Sequence, residues 1–246
     1  MRSLRSVVLL PLLLGATAFR SGIIPHSSIV KDRFIGLKVP EPSDVACDAA
    51  TGKLYIVSDN GILFETDAAG TILRKAKETG WDYEGVEVKG DYVYASDESA
   101  RKVYRYSKAT LTIDRTYSIP YAGARNAGFE SIAWNETKHC FILVSEKNPT
   151  TIFELDEDFR IINQYPFKAA RDVSSARWYG GSMYLLSDED EAILRCDPNT
   201  YAVQEKFNIG ILNPEGLAFD KDGRVLIAAD DLQRLYFFHT LPATHE

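Results

Sequence analysis

Tyr83-Glu84-Gly85-Val86-Glu87-Val88, a turn at Lys89-Gly90-Asp91, Tyr92-Val93-Tyr94-Ala95-Ser96-Asp97-Glu98, a second turn, and Lys102-Val103-Tyr104-Arg105-Tyr106 form the stretch that decides the fold. Three short runs rich in Val and Tyr alternate in polarity and close on Gly, Asp or Ser, which predicts an antiparallel meander. The unit recurs. In register with it lie Ser43-Asp44-Val45-Ala46 with Tyr55 to Asp59, Glu130-Ser131-Ile132-Ala133 with Ile142 to Glu146, Ser174-Ser175-Ala176-Arg177 with Tyr184 to Asp188, and Glu215-Gly216-Leu217-Ala218 with Leu226 to Asp230.

The five copies begin at residues 43, 84, 130, 174 and 215, at steps of 41, 46, 44 and 41 residues. That period is the length of a four-stranded propeller blade. Each copy supplies an inner strand, a middle strand and a third strand, and copies one to four also supply a fourth, such as Thr110 to Ser118 or Arg160 to Phe167. After Phe238 too few residues remain for the fifth copy to do so. The unpaired segment Arg33 to Val39 ahead of the first copy is therefore expected to pair with the strand near Leu235 to Phe238. The expected fold is all-β: a five-bladed β-propeller of four-stranded antiparallel blades, its ring closed by the two chain ends so that no sheet edge is left open.

Residues 1–18 carry Arg2 and Arg5, an apolar run from Val7 to Gly15 and then Ala16-Thr17-Ala18, the pattern of a signal peptide. The apolar run is shorter than the about 20 residues that cross a bilayer. Export to the periplasm or the cell exterior is the expectation, with a membrane anchor as the outcome if the leader is retained. Residues 19–32 read as a linker, and 33–246 as one propeller domain.

The chain is acidic, with a formal charge of −7 over its 246 residues, which argues against nucleic acid as a partner and suits a cation. Cys47, Cys140 and Cys196 fall in three different copies with no metal-knuckle or disulfide spacing, so buried thiols are expected. None of the four histidines, His26, His139, His239 and His245, joins the repeated acidic positions.

Those acidic positions carry the chemistry. In an antiparallel hairpin the start of one strand lies beside the end of the next, so Glu84 and Asp97, Glu130 and Glu146, and Glu215 and Asp230, with Asp59 and Asp188, converge on one mouth of the central channel. Like charges this close call for a counter-ion, and carboxylates with hydroxyl and carbonyl oxygens suit a hard cation, calcium first and magnesium second. Zinc or copper would ask for His or Cys. Acids that end middle strands also commonly bond backbone N–H groups in turns. The inner-strand acids Glu84, Glu130 and Glu215 are thus the preferred metal ligands, with Asp172 as a fourth. No nucleophile motif or phosphate-cradling loop is present, so catalytic residues are unknown from the sequence.

Glu41-Pro42-Ser43-Asp44-Val45, Ser96-Asp97-Glu98, Gly128-Phe129-Glu130-Ser131-Ile132-Ala133, Glu146-Lys147-Asn148-Pro149, Asp172-Val173-Ser174 and Pro214-Glu215-Gly216-Leu217-Ala218, taken in order, resemble the SdiA-regulated family of exported bacterial proteins over roughly residues 33–240. Pro-Glu-Gly-Leu-Ala is also similar to NHL-repeat propellers. The resemblance implies a five-bladed propeller with bound calcium and no established activity. Two functions follow as expectations. One is a binding or scaffold module for a protein or cell-envelope ligand; the other is a calcium-dependent hydrolase of lactonase, esterase or phytase type. The first is preferred because the five inner positions, Ser43, Glu84, Glu130, Ser174 and Glu215, include no Asn or His to hold substrate and water.

Overall fold

In a computed structural model, residues 24–121, 128–145 and 149–242 are described here. The leader at 1–18, Glu146 and His245 lie outside them. The described chain opens with β1 (His26–Ser28) and β2 (Lys31–Gly36). Blade one then runs β3 (Pro42–Cys47), β4 (Leu54–Ser58), β5 (Ile62–Thr66), β6 (Ile72–Lys75), and blade two β7 (Tyr83–Lys89), β8 (Tyr92–Asp97), β9 (Lys102–Ser107), β10 (Ile113–Ser118). Blade three is β11 (Phe129–Asn135), β12 (Cys140–Ser145), β13 (Thr151–Leu155), β14 (Ile161–Pro166). Blade four is β15 (Ser175–Tyr179), β16 (Ser182–Ser187), β17 (Ala192–Cys196), β18 (Val203–Asn208), and β19 (Pro214–Phe219), β20 (Arg224–Ala229), β21 (Arg234–Thr240) belong to blade five. Each is an antiparallel sheet in simple meander order. Among the described residues there is no helix, and so none long and apolar enough to cross a membrane.

The ring closes as the repeat count requires. β2 completes blade five by pairing with β21, Phe34 opposite Tyr236 and Ile35 opposite Leu235. The Leu37 N–H continues the ladder to the Gln233 carbonyl at 2.7 Å. The strand starts earlier than the expected Arg33. The reading of 19–32 as a linker is corrected in part, because β1 adds to the outer edge of blade four, parallel to β18, with His26 opposite Lys206. Its His-Ser-Ser sequence has no apolar alternation, and a parallel edge addition needs no hairpin turn, so neither of the usual strand signals was there to read.

Burial follows strand position. The middle strands β4 and β12 are buried throughout, because both faces pack against neighbouring blades, whereas the outer strands β10 and β14 are largely exposed. Five apolar clusters fill the five seams. The closing one joins Val45, Ile56 and Phe64 of blade one to Ala218, Leu226 and Leu235 of blade five. Cys140 and Cys196 are buried free thiols and Cys47 is a half-buried one.

Around the channel the inner strands approach so closely that the second residue of each of the five copies, Asp44, Gly85, Ser131, Ser175 and Gly216, must be small or make bonds. A Cβ on Gly216 would lie 2.8 Å from Asp44 Cα and Val45 N, and one on Gly85 would lie 2.6 Å from Ile132 N. Asp44 is fully buried. It accepts from the Val86 N–H at 2.8 Å, Ser175 Oγ at 2.9 Å and Arg177 Nη2 at 2.6 Å. Ser131 Oγ accepts the Ala176 N–H at 2.6 Å, and Ser175 Oγ accepts the Leu217 N–H at 3.2 Å. This network ties all five blades across the middle of the channel.

Candidate metal centre at the channel mouth

The acids at the start of the inner strands owe their aim to bulges. The pairing register slips between Tyr83 and Gly85, between Phe129 and Ser131, and between Pro214 and Gly216, so Glu84, Glu130 and Glu215 are each the extra residue. Blade one slips likewise at Ser43. A bulge turns its extra side chain out of the pleat, here toward the mouth. Where the residue is serine, the hydroxyl is taken up by the next blade: Ser43 Oγ donates to the Tyr83 carbonyl, and Ser174 Oγ to the Pro214 carbonyl at 2.9 Å. Where it is glutamate, the longer side chain extends into the acidic cluster.

These acids repel one another across blades. Glu84 is pushed well above the usual carboxylate range by burial and then by Glu130, Asp59, Asp82 and Glu215. Glu215 is pushed up to about 8 by burial and then by Asp188, Asp59, Asp230 and Asp172. Asp59 rises to about 6, again by burial first and then chiefly through Asp230. No cationic side chain is among these causes. Glu84 thus feels Glu130 and Glu215 across the mouth, but among the described residues the one group of three acids close enough to share an ion contains only Glu84 of these three.

Asp97 and Asp172 behave differently. Asp97 does not turn toward Glu84: its carboxylate accepts the Trp81 and Ala100 N–H groups at 2.8 Å each, in the turn role open to acids that end middle strands. Asp172 is buried and accepts from Ser187 Oγ at 2.5 Å and from the Asp188 and Glu189 N–H groups at 3.2 and 3.1 Å. Both its oxygens are engaged in holding the turn after β16. It contributes charge to the mouth, while its lone pairs are already directed at the turn.

Two acids were missed. Asp82, Glu84 and Glu98 each offer a carboxylate oxygen within 4.8 Å of the others'. Asp82 stands two residues ahead of Glu84 as Asp172 stands two ahead of Ser174, so the register that singled out Asp172 also pointed to Asp82. Glu98, one residue past the end of β8, carried no such signal. One oxygen of Asp82 accepts from Ser99 Oγ at 2.5 Å and one of Glu98 from the Gly128 N–H at 3.1 Å, leaving a second oxygen on each. Oxygens that share a calcium ion at about 2.3–2.6 Å lie within about 5 Å of one another. The trio meets that test with an all-oxygen donor set, and the described cysteines and histidines lie elsewhere in the fold.

A family model for the SdiA-regulated family matches residues 28–239, and the chain belongs to that family. No curated protein matches the sequence. Among solved structures, the chain is similar to the glutaminyl cyclase of Myxococcus xanthus, with a TM-score of 0.71 and 15% identity over 89% of this chain and 100% of that one. It is also similar to the β-propeller domain of Cps50 (Swd1) from Myceliophteria thermophila, with a TM-score of 0.56 and 9% identity over 87% of this chain and 100% of that one. At these identities the likeness is one of fold.

Proposed function

We propose that this protein is an exported, calcium-binding propeller that acts as a binding or scaffold module of the cell envelope. The observation that carries the metal is the approach of the Asp82, Glu84 and Glu98 oxygens within 4.8 Å. Glu130 of blade three and Glu215 of blade five bring further acidic groups to the mouth. Glu84 is the central ligand, with Asp82 and Glu98 beside it; Glu130 and Glu215 complete the oxygen set or hold the cation's waters. Bound there, a divalent cation supplies the positive charge that these carboxylates lack and fixes the loops that carry them. The leader-like first 18 residues support export. Outside the cell a weak site suffices, since extracellular calcium modules work at about 10⁻⁴–10⁻³ M. The test is calcium-dependent melting of the mature protein: calcium raises Tm, and Glu84→Gln with Glu98→Gln removes the rise. An unchanged rise in that variant would place the ion elsewhere.

A second reading, catalysis at the same mouth, is favoured by one observation. Glu215, pushed up to about 8, holds a proton near neutral pH, the state a general acid needs. The Myxococcus xanthus protein, a glutaminyl cyclase by name, places an enzyme on the same fold. A screen against lactones, aryl esters, phosphoesters and peptides with N-terminal glutamine, with calcium and with chelator, separates the readings. Turnover lost in Glu215→Gln would establish the enzyme; a flat screen alongside calcium binding supports the module.

A further inference from the structure

The far ends of the five inner strands enclose a cavity of about 350 Å³ at the opposite mouth of the channel. Its size falls at the small end of the roughly 300–1,000 Å³ range of ligand pockets. The residue four places past the start of each copy, Cys47, Val88, Trp134, Trp178 and Phe219, stands in its wall, so the wall is aromatic on blades three to five. Tyr179, next to Trp178, stacks on Phe219 with centroids 4.3 Å apart. Trp178, Tyr179 and Phe219 all keep accessible surface.

The charges around this cavity do not balance. On its inner side two carboxylates, Asp44 and Glu87, have one cation between them, and Arg177 gives its Nη2 hydrogen bond to Asp44 at 2.6 Å. Glu87 keeps accessible surface in the wall, and its oxygens accept the Val88 and Trp134 N–H groups at 2.9 and 3.2 Å in place of a cationic side chain. Burial pushes it up to about 7 against the pull of Arg177, the mark of a carboxylate whose charge is incompletely matched. Glu136 and Asp220, also in the wall, make no ion pair among the described residues. The two lysines there are engaged by acids outside it, Lys89 by Glu157 at 3.5 Å and Lys221 by Asp222 at 3.0 Å. Lys89 Nζ also lies 4.0 Å from the Trp134 centroid, so that ring already faces a cation, and Trp178, Tyr179 and Phe219 are left for a second one. A primary ammonium has three N–H groups to satisfy, which aromatic walls do not do. A methylated ammonium has none, and is held by ring faces and a nearby negative charge alone.

We propose that this cavity is a second binding site, separate from the acidic mouth, for a small quaternary ammonium compound whose cationic head rests against Trp178, Tyr179 and Phe219 with Glu87 as its counter-charge. The sequence has three tryptophans, and two of them line the cavity. Replacing the third, Trp81→Phe, leaves Trp134 and Trp178 as fluorescent reporters. Choline, titrated into that protein with calcium present at about pH 8, where Glu87 is ionised, should change the emission saturably and shift the amides of Lys89, Gly90 and Phe219. Its uncharged isostere, with a tert-butyl group in place of trimethylammonium, should bind at least about tenfold more weakly, and ethanolamine, equally charged but hydrogen-bonding, about fivefold more weakly. Choline affinity should fall about tenfold in Glu87→Gln and about fivefold in Tyr179→Leu. It should be unchanged in Glu84→Gln at the other mouth. A thermal melt checks that Glu87→Gln is folded; if it is not, Tyr179→Leu, altered at an exposed side chain, and the isostere titration decide. Absence of saturable choline binding, equal binding of the isostere or of ethanolamine, undiminished affinity in Tyr179→Leu, or loss of binding in Glu84→Gln would each overturn the proposal.

Discussion

Asp44 and Arg177 illustrate how single residues hold the ring. Arg177 reaches from blade four to an aspartate of blade one, and both are almost wholly buried. Removing one partner strands the other's charge, which typically costs about 3–5 kcal/mol. Arg177→Met should therefore lower the free energy of unfolding by that order, read from the urea midpoint at constant m-value; a change below about 1 kcal/mol would show that the network contributes little. Neither residue was legible as a pair. Both stood in the quoted repeat units, but the register aligns residues within blades and is silent on which side chains cross the channel. Glu84, Glu130 and Glu215 could be read because the repeat itself placed them at one radius. The difference between Asp97, turned into its own loop, and Glu84, turned to the mouth, depends on the bulge at Glu84, which has no sequence mark beyond the glycine that follows it.

At the level of elements, β2 closes the ring and β1 only covers an edge. A chain beginning at Leu37 lacks the fourth strand of blade five and loses the tilted contact of Phe34 with Tyr236 at 5.8 Å. A chain beginning at Val30 loses only the three-residue β1. The first should melt lower than the parent by on the order of 10 °C and the second by a few degrees; equal melting of the two truncated chains would refute the assignment of closure to β2. Gly216→Ala tests the tight inner ring in the same way. The added methyl meets the backbone of Asp44 and Val45, which cannot swing aside, so a loss of about 1–3 kcal/mol is expected in urea unfolding. Blade count, strand order and ring closure were all legible, because period and alternation are properties of the chain's own covalent order. β1 was not, because its pairing is decided by the edge it meets.

For the whole molecule, the acidic mouth couples stability to pH and to metal. Folding raises Glu215 from its ordinary 4.5 to about 8 and Asp59 from 3.8 to about 6, with Glu84 shifted in the same direction. Between those limits the native state holds protons that the unfolded chain has released. The slope of stability against pH is then negative, so the metal-free protein should lose stability as pH rises through that window. Thermal melts in chelator across the window check this, and a flat or rising profile would contradict it. A cation at the mouth competes with those protons, so calcium should be most stabilising at the alkaline end. The most direct measurement is a calorimetric titration of calcium into chelator-stripped protein near neutral pH, in two buffers of different ionisation enthalpy. We expect one ion per chain, proton release on binding, and loss of both in Glu84→Gln with Glu98→Gln; absence of calcium binding by the parent, or undiminished binding by the double variant, would contradict the account.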